Sequence, residues 1–79
     1  MRPIVKMTSE SAKFITFAYG LINSARYPSF TKVTEVYNEV FGTKLASTSC
    51  SSCMRQRVLE LKAALDKYNK MALGNASDS

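Results

Sequence analysis

Apolar residues recur at intervals of three and four along three separate stretches of the chain, and this spacing constrains the fold more than any other feature. It places the apolar side chains on one face of an α-helix, whereas a half-buried strand alternates every second residue. The sequence therefore predicts an all-α protein, a compact three-helix bundle with helices over residues 8–25, 30–41 and 49–72.

The predicted helix ends depend on capping and breaking residues. Thr8 or Ser9 can cap the first helix, and Tyr27-Pro28 ends it because the residue before a proline avoids helical dihedral angles. Gly42 follows the second helix, at a position typical of a left-handed C-terminal residue. The pair Gly74-Asn75 predicts the end of the third helix.

The 79 residues suffice for one small helical domain and one modest core. Residues 1–7 are predicted to form a short N-terminal arm, and residues 74–79 a disordered tail. Gly20 lies inside the first helix and predicts a close helix contact, since glycine there costs about 1 kcal/mol relative to alanine. The apolar faces predict a core made of Phe14, Phe17, Ala18, Leu21, Ile22, Val33, Val36, Tyr37, Val40, Phe41, Met54, Val58, Leu61, Leu65 and Tyr68.

The composition excludes several classes of function. The chain contains no His, so Ser-His-Asp triads, Cys-His pairs and HExxH zinc sites are excluded. The carboxylates show no pairing that spacing alone supports, and we expect a protein that is not an enzyme. The N-terminus lacks the apolar stretch of a signal peptide, and no apolar run approaches the roughly 18 residues that a membrane-spanning helix needs. These features predict a cytoplasmic protein with no membrane partner.

A CxxC motif, Cys50-Ser51-Ser52-Cys53, stands at the predicted start of the third helix. One interpretation is that both thiols pack as small apolar side chains at the top of the core. A second is a zinc ion shared between two chains, because one CxxC supplies two ligands where a structural site needs four. The third is redox chemistry, since a helix N-terminus stabilises a thiolate. We expect the protein to bind no cofactor, and zinc shared between two chains through Cys50 and Cys53 is the alternative.

The net charge is +5, and the excess is not uniform. No acidic residue lies between Glu39 and Glu60. In this interval the sequence predicts a helix-turn-helix-like arrangement that binds nucleic acid through the start of the third helix. The predicted contact residues are Lys44, Ser51, Ser52, Arg55, Gln56 and Arg57. The alternative for these charges is a solvated surface that keeps the protein soluble.

A second hypothesis is a protein–protein interaction. Leu59 points away from the predicted apolar face of the third helix, and this face is long enough to extend beyond the two shorter helices. The corresponding partner is a host protein, a virion component or a second copy of the chain in a homo-oligomer.

The segment Val36-Tyr37-Asn38-Glu39-Val40-Phe41-Gly42, followed by Ser49-Cys50-Ser51-Ser52-Cys53-Met54-Arg55-Gln56-Arg57, resembles small proteins of tailed bacteriophages, particularly those infecting Bacteroides-like hosts. The resemblance covers about a third of the chain and implies no particular activity and no site. It implies a location in the bacterial host cytoplasm or in the virion.

Overall fold

Three helices form the protein in a computed structural model that describes residues 3–77 and the side chains of residues 3–71. They are α1 (Ser9–Asn23), α2 (Phe30–Phe41) and α3 (Ser51–Ser77). Residues 3–77 contain no strand. The predicted all-α, three-helix architecture is confirmed.

The helix caps follow the side-chain chemistry of the sequence. The Thr8 hydroxyl accepts a hydrogen bond from the Ser11 amide at 3.0 Å, and Ser29 caps α2 in the same way. Gly42 has the left-handed conformation expected of it, with φ of 67°, and its amide donates to the carbonyl of Asn38. These local bonds satisfy backbone groups that a helix end leaves unpaired.

The third helix is longer than predicted. It continues to Ser77 through Gly74-Asn75, so the predicted end at residue 72 is wrong. A glycine within a helix costs only about 1 kcal/mol, and no proline follows to prevent the next turn. Residues 78–79 of the predicted tail and residues 1–2 of the predicted arm lie outside the described residues.

Helix α3 packs against both α1 and α2, and two groups of buried side chains join them. At one end, Ile22 from the last turn of α1 packs with Val33 and Met54 from the first turns of α2 and α3. The end of α1 therefore lies beside the starts of the other two helices. Consequently α1 runs antiparallel to α2 and α3, which run in the same direction.

Two side-chain hydrogen bonds confirm that α2 and α3 are parallel. Arg57 donates to Thr34 at 2.7 Å, and Tyr37 donates to Glu60 at 3.2 Å. The second pair lies three residues after the first on both helices, so the two helices run in the same direction. The connection, residues 42–50, returns along α2 to reach the start of α3. A helix-turn-helix instead joins two crossing helices through three or four residues. The predicted helix-turn-helix-like arrangement therefore differs from the observed one.

Most of the predicted core is buried, with two clear errors. Phe17 is 60% exposed and Tyr68 is 44% exposed. Ile15 and Ala64, which were not predicted, are fully buried. Phe17 lies on α1 roughly opposite Ile15, while Tyr68 lies one turn beyond the Leu65 that packs with the last turn of α2. Phe14 and Leu21 are only half-buried.

Gly20 makes no close helix contact, contrary to the prediction. A Cβ atom built on it has nothing within 4 Å. The N-terminal arm, in contrast, lies against the C-terminal end of α2, where the amides of Val5 and Lys6 both donate to the Val40 carbonyl. None of the helices in residues 3–77 combines the length and the apolar character needed to cross a membrane.

Candidate nucleic-acid interface

The antiparallel position of α1 brings two acid-free segments to one end of the bundle. Residues 22–33 include the end of α1 and the start of α2, and residues 46–58 include the start of α3. We call this surface the basic end. The two segments contain four cationic residues and no acid, namely Arg26, Lys32, Arg55 and Arg57. The basic end therefore attracts anionic groups such as the backbone phosphates of a nucleic acid.

Four of the predicted contact residues lie together on the first two turns of α3. Ser51, Ser52, Arg55 and Gln56 are all exposed, whereas Met54 among them is buried. Their hydroxyl, guanidinium and amide groups are the types that bind phosphate oxygens and base edges. In addition, the N-terminus of α3 has a partial positive charge.

Lys44 lies apart from these residues. It stands between Thr43 and Leu45, which both bond to the Asn38 side chain near the far end of α2. From there residues 46–50 run back along α2, and α3 begins at Ser51. The structure thus places Lys44 outside the basic end.

Arg57 has protein partners of its own. Its guanidinium donates to the Thr34 hydroxyl at 2.7 Å and to the Ala46 carbonyl at 3.2 Å. Thr34 is buried, and Arg57 is half-buried. This arginine therefore holds the connection against α2 and α3, and its hydrogen bonds serve the fold rather than leaving the group free for a ligand.

Arg26 and Lys32 were not among the residues predicted to contact nucleic acid. Both are exposed; Arg26 lies in the turn after α1, and Lys32 lies in the first turn of α2. Tyr27 beside them is 63% exposed and contacts Phe30 edge to face, with ring centroids 6.2 Å apart. A second acid-free interval, between Glu10 and Glu35, was a signal in the sequence. The sequence does not specify the direction in which α1 packs, and this direction is what places the interval beside the start of α3.

The two cysteines are exposed, so the prediction that they pack into the core is wrong. The Cys53 amide donates to the sulfur of Cys50 at 3.3 Å, and the Cys50 amide donates to Thr48. Hydrogen bonds from the Cys53 thiol and amide lower the pKa of Cys50. The same thiol–thiol hydrogen bond raises the pKa of Cys53, which is its donor.

The described residues contain no group of three or more His, Cys, Asp or Glu side chains that could hold a metal ion. Cys50 and Cys53 alone do not complete a structural zinc site, which takes four ligands. Zinc shared between two chains stays a prediction.

Leu59 is 40% exposed on α3, as predicted from its outward position. Its neighbours one turn before are the polar Arg55 and Gln56, and its neighbours one turn after are Lys62 and Ala63. Other exposed apolar side chains, Val5, Tyr68 and Met71, lie at the opposite end of the bundle. There the N-terminal arm and the late turns of α3 border a groove of about 560 Å³, lined by residues 3–7 of the arm and by Lys67, Tyr68 and Met71 of α3.

Comparisons with known proteins assign the chain to no group. No protein-family model matches the sequence, and neither a curated protein nor a solved structure matches it.

Proposed function

We propose that the protein binds nucleic acid through the basic end of the bundle. The observation that supports this proposal is the meeting of two acid-free segments that are distant in sequence and supply four cationic residues. Arg26, Lys32 and Arg55 bind backbone phosphates, while Ser51, Ser52 and Gln56 add hydrogen bonds at the start of α3. A tailed phage or its bacterial host is the proposed setting.

The binding mode differs from that of a helix-turn-helix protein. Because α2 lies parallel to α3, the starts of both helices reach the same surface, together with the turn after α1. A nucleic acid on this surface meets the end of the bundle rather than the side of one helix. The contacts are therefore mostly to phosphates, which carry no sequence information directly.

The first test is the salt dependence of binding. Fluorescence anisotropy of a labelled 20-base-pair duplex is measured at rising salt concentration. Each neutralised phosphate contributes about 0.9 to the slope of log K against log salt, so three cations predict a slope of about −3. No binding at low salt contradicts the proposal.

The second test compares two triple charge reversals with the same net charge. Arg26→Glu, Lys32→Glu and Arg55→Glu change the basic end, and Lys6→Glu, Lys67→Glu and Lys70→Glu change exposed lysines elsewhere. We expect the first variant to bind duplex DNA at least about tenfold more weakly than the second. Equal losses mean that only net charge matters, which contradicts a site at the basic end. Circular dichroism checks that both variants are folded.

A substitution of Lys44 distinguishes binding at the basic end from binding along the connection between α2 and α3. Its position near the far end of α2 predicts that Lys44→Glu weakens binding less than Arg55→Glu, although both change the charge equally. An equal or larger loss for Lys44→Glu indicates that the nucleic acid lies along the connection between α2 and α3.

A second candidate function is self-association through α3. The apolar face of this helix continues past α1 and α2, where Tyr68 is 44% and Met71 is 62% exposed. Two such faces from two chains can pack against each other and remove this area from water. Light scattering at increasing protein concentration tests this candidate. A dimer that becomes a monomer in Tyr68→Lys/Met71→Lys supports it, and a monomer at every concentration contradicts it.

A further inference from the structure

Two exposed thiols lie together at the start of α3. Cys50 directly precedes the helix, and its carbonyl accepts the amide of Met54 at 3.0 Å. The sulfur of Cys50 accepts the amide of Cys53 at 3.3 Å, which places it over the first turn. Both side chains are exposed, so reagents in solution reach both sulfurs.

The spacing permits a disulfide between them. Two residues three positions apart at a helix start have Cα atoms about 5 Å apart. A disulfide needs a Cα separation of roughly 4.4–6.8 Å. Cys50 lies just outside the regular helix, so a change in its side-chain rotamer gives up the hydrogen bond from the Cys53 amide but leaves the backbone hydrogen bonds of α3 intact.

We propose that Cys50 and Cys53 form a reversible dithiol–disulfide couple in which Cys50 is the attacking thiol and Cys53 closes the disulfide. The co-reactant is a low-molecular-weight disulfide such as glutathione disulfide. The Cys50 thiolate attacks one sulfur of the co-reactant, forms a mixed disulfide and releases one glutathione thiolate. Cys53 then loses its proton to solvent, attacks the Cys50 sulfur and releases the second glutathione thiolate. Two thiols are oxidised and one glutathione disulfide is reduced.

The hydrogen bonds between the cysteines support this division of roles. The thiolate is the reactive form of a cysteine, and the bonds donated by the Cys53 thiol and amide lower the pKa of Cys50. Donation of that thiol–thiol hydrogen bond raises the pKa of Cys53, although the charge of Arg57 opposes part of this effect. At neutral pH, Cys50 is therefore thiolate more often than Cys53. This couple does not depend on nucleic-acid binding.

Mass spectrometry of the whole protein tests the couple. The reduced protein is incubated with glutathione disulfide at pH 7, quenched in acid, and treated with an alkylating agent that labels the remaining thiols. We expect a monomer that has lost two hydrogens, has no free thiol and returns to the dithiol with excess reduced glutathione. A product with two bound glutathiones, or a disulfide-linked dimer as the main species, overturns the proposal.

Single variants test the order of attack. Cys53→Ser keeps a hydroxyl that can donate to Cys50, and we expect it to stop with one glutathione on Cys50. Cys50→Ser is expected to react several-fold more slowly, because Cys53 lacks the amide hydrogen bond that lowers the pKa of Cys50. Equal rates for the two variants contradict the assignment of Cys50 as the attacking thiol.

A control in denaturant separates the effect of α3 from that of local sequence. In guanidinium chloride the helix is absent, and the difference in rate between Cys53→Ser and Cys50→Ser is expected to disappear. A difference of the same size in the unfolded chain shows that α3 does not distinguish the thiols, which overturns the structural basis of the proposal.

Discussion

At the scale of single residues, Gly20 and Gly42 are both exposed, but alanine can replace only Gly20 without strain. Gly20 is inside α1 with open space around it, whereas Gly42 has φ of 67° and a Cβ there would lie 3.0 Å from Val5. Gly20→Ala is expected to stabilise the protein by about 1 kcal/mol, because alanine is the better helix former. Gly42→Ala is expected to cost about 1–2 kcal/mol, because a Cβ disfavours the left-handed conformation. Urea denaturation of both variants measures the two free energies of unfolding. A loss of stability in Gly20→Ala contradicts the open environment of that residue.

Arg55 and Arg57 are two residues apart but have different roles. Arg57 donates to the buried Thr34 and to the Ala46 carbonyl, whereas Arg55 is exposed at the basic end. Arg57→Met is expected to lower the free energy of unfolding by about 1–3 kcal/mol, because it leaves the Thr34 hydroxyl without this donor. Arg55→Met is expected to change it by less than about 0.5 kcal/mol.

The same pair separates folding from binding. Arg55→Met is expected to weaken duplex binding without affecting the thermal midpoint, and Arg57→Met is expected to lower the thermal midpoint. The assignment is wrong if Arg57→Met leaves stability unchanged and reduces DNA binding as much as Arg55→Met does.

At the scale of elements, α1 shows how a helix selects its buried face. Ser11, Ile15, Ala18 and Ile22 point to the other helices, and the Ser11 hydroxyl donates to Glu39 of α2 at 3.1 Å. Phe17, the larger side chain, lies outside this stripe. The intervals of three and four allow more than one apolar face when a helix contains many apolar residues, and only the neighbouring helices decide between them.

Substitutions on α1 test this orientation. Ile15→Val is expected to cost about 1 kcal/mol and Ile15→Ala about 2–5 kcal/mol, because both remove buried methyl or methylene groups. Phe17→Ala removes more atoms from an exposed position and is expected to cost less than Ile15→Ala. Thermal or urea denaturation compares the variants. The reverse order indicates that Phe17 faces the core.

Helix α3 is longer than the elements that cover it. Its 27 residues span about 40 Å at 1.5 Å per residue, whereas the 12 residues of α2 span about 18 Å. Since α2 and α3 start at the same end, the last turns of α3 extend past α2. This difference in length explains why Leu65 is buried and Tyr68, one turn later, is exposed.

At the scale of the whole molecule, the direction of α1 creates the basic end. The two acid-free segments are far apart in the chain, and their cations meet because the end of α1 packs on the starts of α2 and α3. Like charges brought together repel each other, and a bound polyanion relieves this repulsion. Binding to the folded state is thus expected to stabilise the bundle.

Thermal unfolding measures this effect. If the proposed binding takes place, duplex DNA at 100 times its Kd stabilises the folded protein by about 2.7 kcal/mol and raises Tm by roughly 10–20 °C. The charge reversal at Arg26, Lys32 and Arg55 is expected to abolish most of this rise, while the reversal at Lys6, Lys67 and Lys70 retains it. A rise that survives the first reversal places the ligand elsewhere on the protein.

The sequence by itself determined the three helices, the Thr8 cap and the left-handed Gly42. These features depend on residues within about four positions of one another, so local spacing and capping chemistry suffice to predict them. It also identified the exposed group Ser51, Ser52, Arg55 and Gln56, since these residues share one helix.

Only the tertiary structure decided which ends of the helices meet. The connection of residues 42–50 is long enough to return along α2, so α3 is parallel to α2, which helix periodicity alone does not specify. The relative directions of the helices bring Arg26 and Lys32 to the start of α3 and keep Lys44 away from it. They also place Arg57 beside its hydrogen-bond partners on α2 and on the connection. It also left Cys50 and Cys53 in solvent, because the core at this end is filled by Ile22, Val33 and Met54. These outcomes depend on contacts between residues distant in sequence, and no local pattern encodes them.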